Sequence, residues 1–148
     1  MKSNYPLLMS LPINCLDLKN KTIVIVEDDT PSVKYYQTIL KNSGAVVKFF
    51  NNGKEFIDYF STTHNRIDLV VIDFLIPLVN GIDCVRLFKK ARKDVPVLMI
   101  TAYFSEATKN EAFLAGCNEY ILKPVFPEKI LYLLEKYLKP EAAYSKTF

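Results

Sequence analysis

Five side chains stand out by type and by place: Glu27, Asp28, Asp73, Thr101 and Lys123. Glu27 and Asp28 follow the run 22–26, Asp73 follows 67–72, Thr101 follows 97–100 and Lys123 follows 119–122, each run short and mostly apolar. If these runs are parallel strands of an open sheet, their carboxyl ends share one rim, where such sheets bind ligands. Three carboxylates, a hydroxyl and an ammonium then converge. Carboxylates a few ångströms apart repel unless a proton or a cation intervenes. A hard divalent ion such as Mg²⁺ relieves that repulsion with oxygen ligands, waters and a phosphate oxygen. A lysine and a hydroxyl nearby match a phosphoryl group. A carboxylate can itself accept that group as an acyl phosphate. The set therefore points to metal-assisted phosphoryl transfer to an aspartate. Singly, each residue has a plainer reading: a solvated strand end, a loop acid, a Lys-Pro turn, and for Asp29 a helix cap, which is the favoured one. The specificity lies in their joint position.

The elements that must hold these residues are legible from periodicity. Residues 22–26 read as a strand, and Asp29-Thr30-Pro31 as a helix start with proline near the first helical position. Val33, Tyr36, Ile39 and Leu40 repeat at helical spacing, and Gly44 is expected to close that helix. A strand is expected over 45–50, a turn at Asn51-Asn52-Gly53 (the only polar contribution of that strand end), and a short helix ending near Ser61. After the third strand, Pro77 and Asn80-Gly81 form a loop. Ile82, Val85, Phe88 and Ala91 are expected on the inner face of the next helix, with Arg86, Lys89, Lys90 and Arg92 opposite. Ser105 caps a further helix that Gly116 ends, and Pro127 opens the last one, with Ile130, Leu131, Leu134 and Tyr137 inward. The pattern is βα repeated five times. Its strands are near-continuous apolar runs, which implies an α/β fold: a parallel sheet, doubly wound, in three layers.

Composition sets the outer bounds. The chain has 148 residues, enough for one domain with a core that needs no disulfide or structural metal. Its net charge of +3 is too mild to argue for nucleic acid. The three cysteines, Cys15, Cys84 and Cys117, are odd in number and widely spaced, which argues against a disulfide framework and for a reducing interior. The longest apolar run, 69–79, is broken by Asp73 and Pro77 and is too short for a membrane span, and the start of the chain lacks a signal-peptide cleavage pattern.

With these residues in view, the chain resembles the receiver domain of two-component response regulators over about residues 21–139. IVIVEDD resembles the family's first-strand acidic motif and DLVVIDFLIPLVNGID its phospho-acceptor segment. VLMITAY resembles the fourth-strand Thr/Ser motif and EYILKPV the fifth-strand Lys-Pro motif. The resemblance implies a flavodoxin-like strand order 2-1-3-4-5. It makes Asp73 the phospho-acceptor, with Mg²⁺ (or Mn²⁺) held by Asp28, Glu27, Asp73 and the backbone carbonyl of Leu75. Lys123 would pair with the phosphoryl group, Thr101 would hydrogen-bond it, and Tyr120 would be the aromatic switch. A cis Lys123-Pro124 bond is also implied. Leu75 and Tyr103 would flank the phosphoryl group, where two bulky side chains slow self-dephosphorylation.

The implied partners are a histidine kinase or histidine phosphotransfer domain as donor and a downstream protein on the face of helix four, strand five and helix five. A homodimer is possible, with no direct nucleic-acid contact, no membrane insertion and a bacterial cytoplasmic location. Residues 1–20 read as an extension or linker and 140–148 as a polar tail. The domain is thus either a stand-alone protein or part of a longer one such as a hybrid kinase. A haloacid dehalogenase-type phosphatase shares the Asp, Mg²⁺, Thr and Lys chemistry, but its DxD motif sits at the first strand. Here Asp73 follows the third strand, and Leu75 stands where the second Asp would be. The intact acidic, hydroxyl and lysine set argues against a silent scaffold.

The remaining residues read plainly. His64, the single histidine, falls in a polar stretch and reads as a surface loop residue, so the phosphoryl donor must be another molecule or domain. The basic run from Arg86 to Lys93 reads as a solvated helix face without a nucleic-acid module. Cys84 and Cys117 read as packing thiols. Tyr35 and Tyr36 cannot both face the core, so one is expected at the rim, where the first helix of such domains meets its kinase.

Overall fold

A computed structural model describes residues 16–139. Five βα units follow one another: β1 (Thr22–Val26), α1 (Thr30–Leu40), β2 (Val46–Phe50), α2 (Gly53–Thr62), β3 (Leu69–Ile72), α3 (Gly81–Ala91), β4 (Val97–Thr101), α4 (Glu106–Ala115), β5 (Glu119–Leu122) and α5 (Pro127–Leu138). All pairings are parallel, in the order β2-β1-β3-β4-β5. The α/β class, the doubly wound sheet and its order are as expected from the sequence.

Period-two alternation decides which helix covers which face. Val24, Val26, Val70, Ile72, Val97 and Met99 point to one side, against Phe56 and Phe60 of α2, Val85 and Phe88 of α3 and Ala112 of α4. Ile23, Ile25, Leu69, Val71, Leu98 and Ile100 point to the other, against Tyr36 and Ile39 of α1 and Ile130 and Leu134 of α5. Because β1, β3 and β4 are covered on both faces, every one of their residues except Thr22 is buried.

Helix ends follow their caps. Asp29 accepts the Ser32 amide, Ser105 that of Thr108, and Gly116 closes α4 with φ 116°. Two asparagines expected only as turn and loop residues are caps as well: Asn52 starts α2 and Asn80 starts α3. Gly44 does not cap α1. That helix stops at Leu40, whose carbonyl accepts both the amide and the hydroxyl of Ser43, so the chain has already turned before Gly44. Ala91 is exposed, and the inner face of α3 is completed by Cys84 instead. Tyr137 is half-buried, its hydroxyl donating to Glu119.

The residues just before β1 are part of the fold. Leu18 is fully buried beneath α1 and α5, and its amide donates to the Ser43 carbonyl at 2.6 Å. The rest of the expected extension, residues 1–15 with Cys15, and the expected tail, 140–148, lie outside the described residues. The basic face of α3 is only partly free. Lys89 donates to the Val95 carbonyl and to Asn118, and Arg92 to the carbonyls of Thr63 and Asn65.

Candidate functional site

Sheet register explains why distant acids meet. Val26 pairs with Ile72, so the next residues, Glu27 and Asp73, leave adjacent strands side by side. Their amides extend the ladders, Glu27 to the Phe50 carbonyl and Asp73 to that of Val26. Thr101 pairs with Leu122, which sets Lys123 immediately beyond it on the edge strand. The Lys123 amide donates to the Thr101 carbonyl at 2.9 Å, and the Lys123-Pro124 bond is cis.

The Lys123 ammonium lies 2.7 Å from Glu27 Oε2 and 2.9 Å from Asp73 Oδ2. Both carboxylates are buried, and each has its other oxygen engaged by a backbone amide: Glu27 Oε1 by Asp29 and Asp73 Oδ1 by Leu75. Burial pushes the Glu27 carboxyl above its ordinary range, against the opposing pull of Lys123 and the Asp29 amide. Burial also works against the charged Lys123, but its bonds to Glu27 and Asp73 outweigh that and hold the ammonium above the usual lysine value. Asp28, beside this pair, faces solvent. Thr101 is buried, its hydroxyl accepting the Tyr103 amide at 3.2 Å, and the Tyr120 hydroxyl donates to the Tyr103 carbonyl at 2.6 Å. The backbone of Tyr103 therefore touches both residues of the expected switch, its amide Thr101 and its carbonyl Tyr120.

The loop between β3 and α3 carries the rest of the rim. Leu75 and Leu78 are well exposed, and Phe74 packs its ring on Tyr103 with centroids 5.3 Å apart. Two glycines hold this loop by close approach. A Cβ on Gly81 would stand 2.2 Å from the Asp73 carbonyl oxygen, and one on Gly53 would stand 2.2 Å from that of Val79. Neither position has room for a side chain. On the other side of the acceptor, α1 and the segment after β5 enclose a groove of about 440 Å³, walled by Pro31, Tyr35, Tyr36, Pro124 and Val125, with Ser32 and Lys123 at its polar end. Tyr36 is the core tyrosine of the pair, and the Tyr35 hydroxyl donates to the Val125 carbonyl at the rim.

The donor set fits a hard cation. Every candidate ligand is an oxygen. Among the described residues, no three His, Cys, Asp or Glu side chains are gathered closely enough to hold an ion by themselves. Magnesium, which uses few carboxylates and fills its shell with carbonyls and water, suits such a sparse site.

Elsewhere the plain readings hold. His64 is exposed in a loop. Cys84 and Cys117 are buried free thiols whose burial pushes each up to about 12, so they stay protonated and inert. Among the described residues no helix is long and apolar enough to cross a membrane. One participant escaped the sequence reading: Ser32, one turn into α1, with its hydroxyl 3.4 Å from the Lys123 ammonium.

Comparison with known proteins agrees with this geometry. The family described as response regulator receiver domain matches residues 23–135. Response regulator SaeR of Staphylococcus aureus is 32% identical over 116 residues, covering 78% of this chain and 50% of SaeR. Hybrid signal transduction histidine kinase M of Dictyostelium discoideum is 30% identical over 119 residues, covering 77% of this chain and 5% of the kinase. The chain thus spans half the length of one relative and a small part of the other. Among solved structures, a CheY-like response regulator receiver domain protein from Methanospirillum hungatei superposes with a TM-score of 0.76 at 27% identity, over 81% of this chain and 94% of that one. The receiver domain of sensor histidine kinase PA1611 from Pseudomonas aeruginosa shares the fold (TM-score 0.71, 21% identity, 80% and 97% covered), and its structure holds a magnesium ion in the active site cleft. Family match, strand order and a lysine bridging two strand-end acids agree, and the chain belongs to the response regulator receiver domains, the phosphoryl-accepting switches of two-component signalling.

Proposed function

We propose that this chain takes a phosphoryl group on Asp73 from a phosphohistidine of a histidine kinase or phosphotransfer protein. The observation that carries the reading is the buried Asp73 carboxylate, hydrogen-bonded by Lys123 at 2.9 Å on an open rim. An Asp73 oxygen attacks phosphorus, the N–P bond of the donor breaks, and its electron pair stays on the imidazole. Lys123 neutralises charge on the phosphoryl oxygens, and Thr101, placed on the neighbouring strand, donates its hydroxyl to one of them. Asp28, Asp73 and the Leu75 carbonyl would hold Mg²⁺ or Mn²⁺, and Glu27 would reach it through water or directly. That ion, when bound, offsets the negative charge gathered around phosphorus. Formation of the aspartyl phosphate and its hydrolysis are the only reactions the domain promotes, so it is a switch and not a turnover enzyme. Hydrolysis is slow because Leu75 and Tyr103 shield the phosphoryl group from water.

The output follows from a population shift. When Thr101 turns to the phosphoryl group it releases the Tyr103 amide, and Tyr120 settles with the altered loop. The face of α4, β5 and α5, which exposes Phe113, Leu122 and Phe126, then selects a downstream protein or a second copy. The donor docks over the groove beside α1. The reading places the domain in the cytoplasm, alone or within a longer chain such as a hybrid kinase.

The test is direct. In Mg²⁺, acetyl phosphate is expected to add one phosphoryl group detectable by mass, and beryllofluoride to shift Tyr120-region NMR signals. Both responses vanish in Asp73→Ala. An Asp73-independent adduct, or none, overturns the reading, and rapid multiple turnover of phosphate esters would favour a phosphatase instead.

A further inference from the structure

An ammonium carries three N–H donors and no acceptor. Around Lys123 three acceptors take them: Glu27 Oε2 at 2.7 Å, Asp73 Oδ2 at 2.9 Å and Ser32 Oγ at 3.4 Å. The third contact is longer than the other two and comes from a different layer of the fold. Ser32 stands on the first turn of α1. Its hydroxyl donates to Asp29 Oδ2 at 2.7 Å, and its amide donates to the same oxygen at 3.0 Å. With its hydrogen committed to Asp29, the Ser32 oxygen turns a lone pair toward Lys123.

We infer that Ser32 is a positioning residue for Lys123, tying the ammonium to the capped N-terminus of α1. The inference rests on the proposed role of Lys123 at the phosphoryl group. Transfer to Asp73 requires Lys123 to exchange the Asp73 oxygen for a phosphoryl oxygen. During that exchange only Glu27 and Ser32 still fix the ammonium. Glu27 alone leaves the lysine free to swing about one bond, and a second fixed point removes that freedom. Ser32 touches no reacting atom, so it acts through Lys123. It also has a stable base. α1 is pinned by buried Tyr36 and by the bond from Tyr35 to the Val125 carbonyl, two residues past Lys123.

The full chain is tested with acetyl phosphate as donor in saturating Mg²⁺, using wild type, Ser32→Ala and Ser32→Thr. The hydroxyl contact of Ser32 is long, so its loss is expected to lower the limiting rate of Asp73 phosphorylation about three- to tenfold. The donor concentration at half-saturation stays unchanged, and Ser32→Thr, which keeps the hydroxyl, returns the rate to within about twofold of wild type. Thermal melts of the two variants are expected to be alike. The Lys123 side-chain ammonium signal in NMR broadens in Ser32→Ala and sharpens again in Ser32→Thr, without any phosphoryl donor. An unchanged rate in Ser32→Ala, an equal loss in both variants, or a change in half-saturation alone overturns the inference. If wild type itself takes no phosphoryl group, the acceptor reading fails, and the ammonium signal still decides whether Ser32 holds Lys123.

Discussion

The two ends of the sheet both carry buried acids, and they use them differently. At the amino ends of the strands, Asp68 is almost fully buried, accepts the Thr22 amide at 2.8 Å and pairs with Arg66, whose side chain is 72% exposed. Each partner there has a private role: the acid closes the first ladder, and the arginine reaches into solvent. At the carboxyl ends, Glu27 and Asp73 share one cation, Lys123, which is only 21% exposed. The charges there balance only in part, with two acids and one base. A private pair is a structural fastening. A shared cation among surplus acids is a site waiting for another charge.

The comparison can be broken most sharply at Asp73. Replacing Asp73 by Ala is expected to abolish the acetyl phosphate adduct completely, while Asp68→Ala forms it in full; mass spectrometry after incubation in Mg²⁺ distinguishes them.

Next in size is Lys123→Met. It leaves two buried acids unpaired, and about 1–3 kcal/mol of stability should disappear at pH 7 in Mg²⁺-free buffer, less than for a fully enclosed pair because the lysine is partly solvated. The pH dependence has a definite sign. Glu27 already titrates above its ordinary value of 4.5, so its folded form favours the proton, and stability falls as pH rises through that raised value. Without Lys123 this trend steepens, and urea midpoints of the variant should approach those of wild type as the pH is lowered. In wild type, the stability contributed by Lys123 is complete below its ordinary value of 10.5 and is lost as pH rises through the higher folded value. Magnesium should partly rescue Lys123→Met, since a bound cation stabilises the state that holds it, and chelation should reverse the rescue.

At the other end, Asp68→Ala strands the Thr22 amide and should cost about 1–3 kcal/mol without changing phosphorylation. The smallest effect is expected for Arg66→Ala, within about 1 kcal/mol, because a largely exposed ion pair is screened by solvent. Denaturant titrations of the two variants together separate the acid's role from that of its partner. A loss in Arg66→Ala as large as in Lys123→Met would erase the distinction between private and shared pairing.

Much of this was legible in the residues because parallel strands buried on both faces leave few polar positions. Any acid, hydroxyl or lysine directly after such a run must lie on the rim, and Glu27, Asp73, Thr101 and Lys123 do. Caps with a single local partner, Asp29 and Ser105, were equally readable. What the sequence hid depends on tertiary neighbours. Gly44 looked like a helix end, but Ser43 had already satisfied the Leu40 carbonyl. Lys89 and Arg92 looked solvated, but loop carbonyls fold back over them. Leu18 lay outside any periodic run and still fills the core. Ser32 sits 91 positions from Lys123, and its only local sign is the Asp29-x-x-Ser32 spacing, which reads as a cap before it reads as part of a site.

The two glycines packed against the β3–α3 loop bear on how such a domain diversifies. Gly53 and Gly81 start α2 and α3 so close to the loop that a Cβ at either would run into the carbonyl of Val79 or Asp73. At these two positions the main chain around the acceptor is closed to any side chain. The side chains of Leu75 and Leu78 face outward and touch little, so they are open to change in kind. Substitutions at Leu75 and Leu78 are therefore expected to change the surface of this rim while the frame that holds it stays fixed.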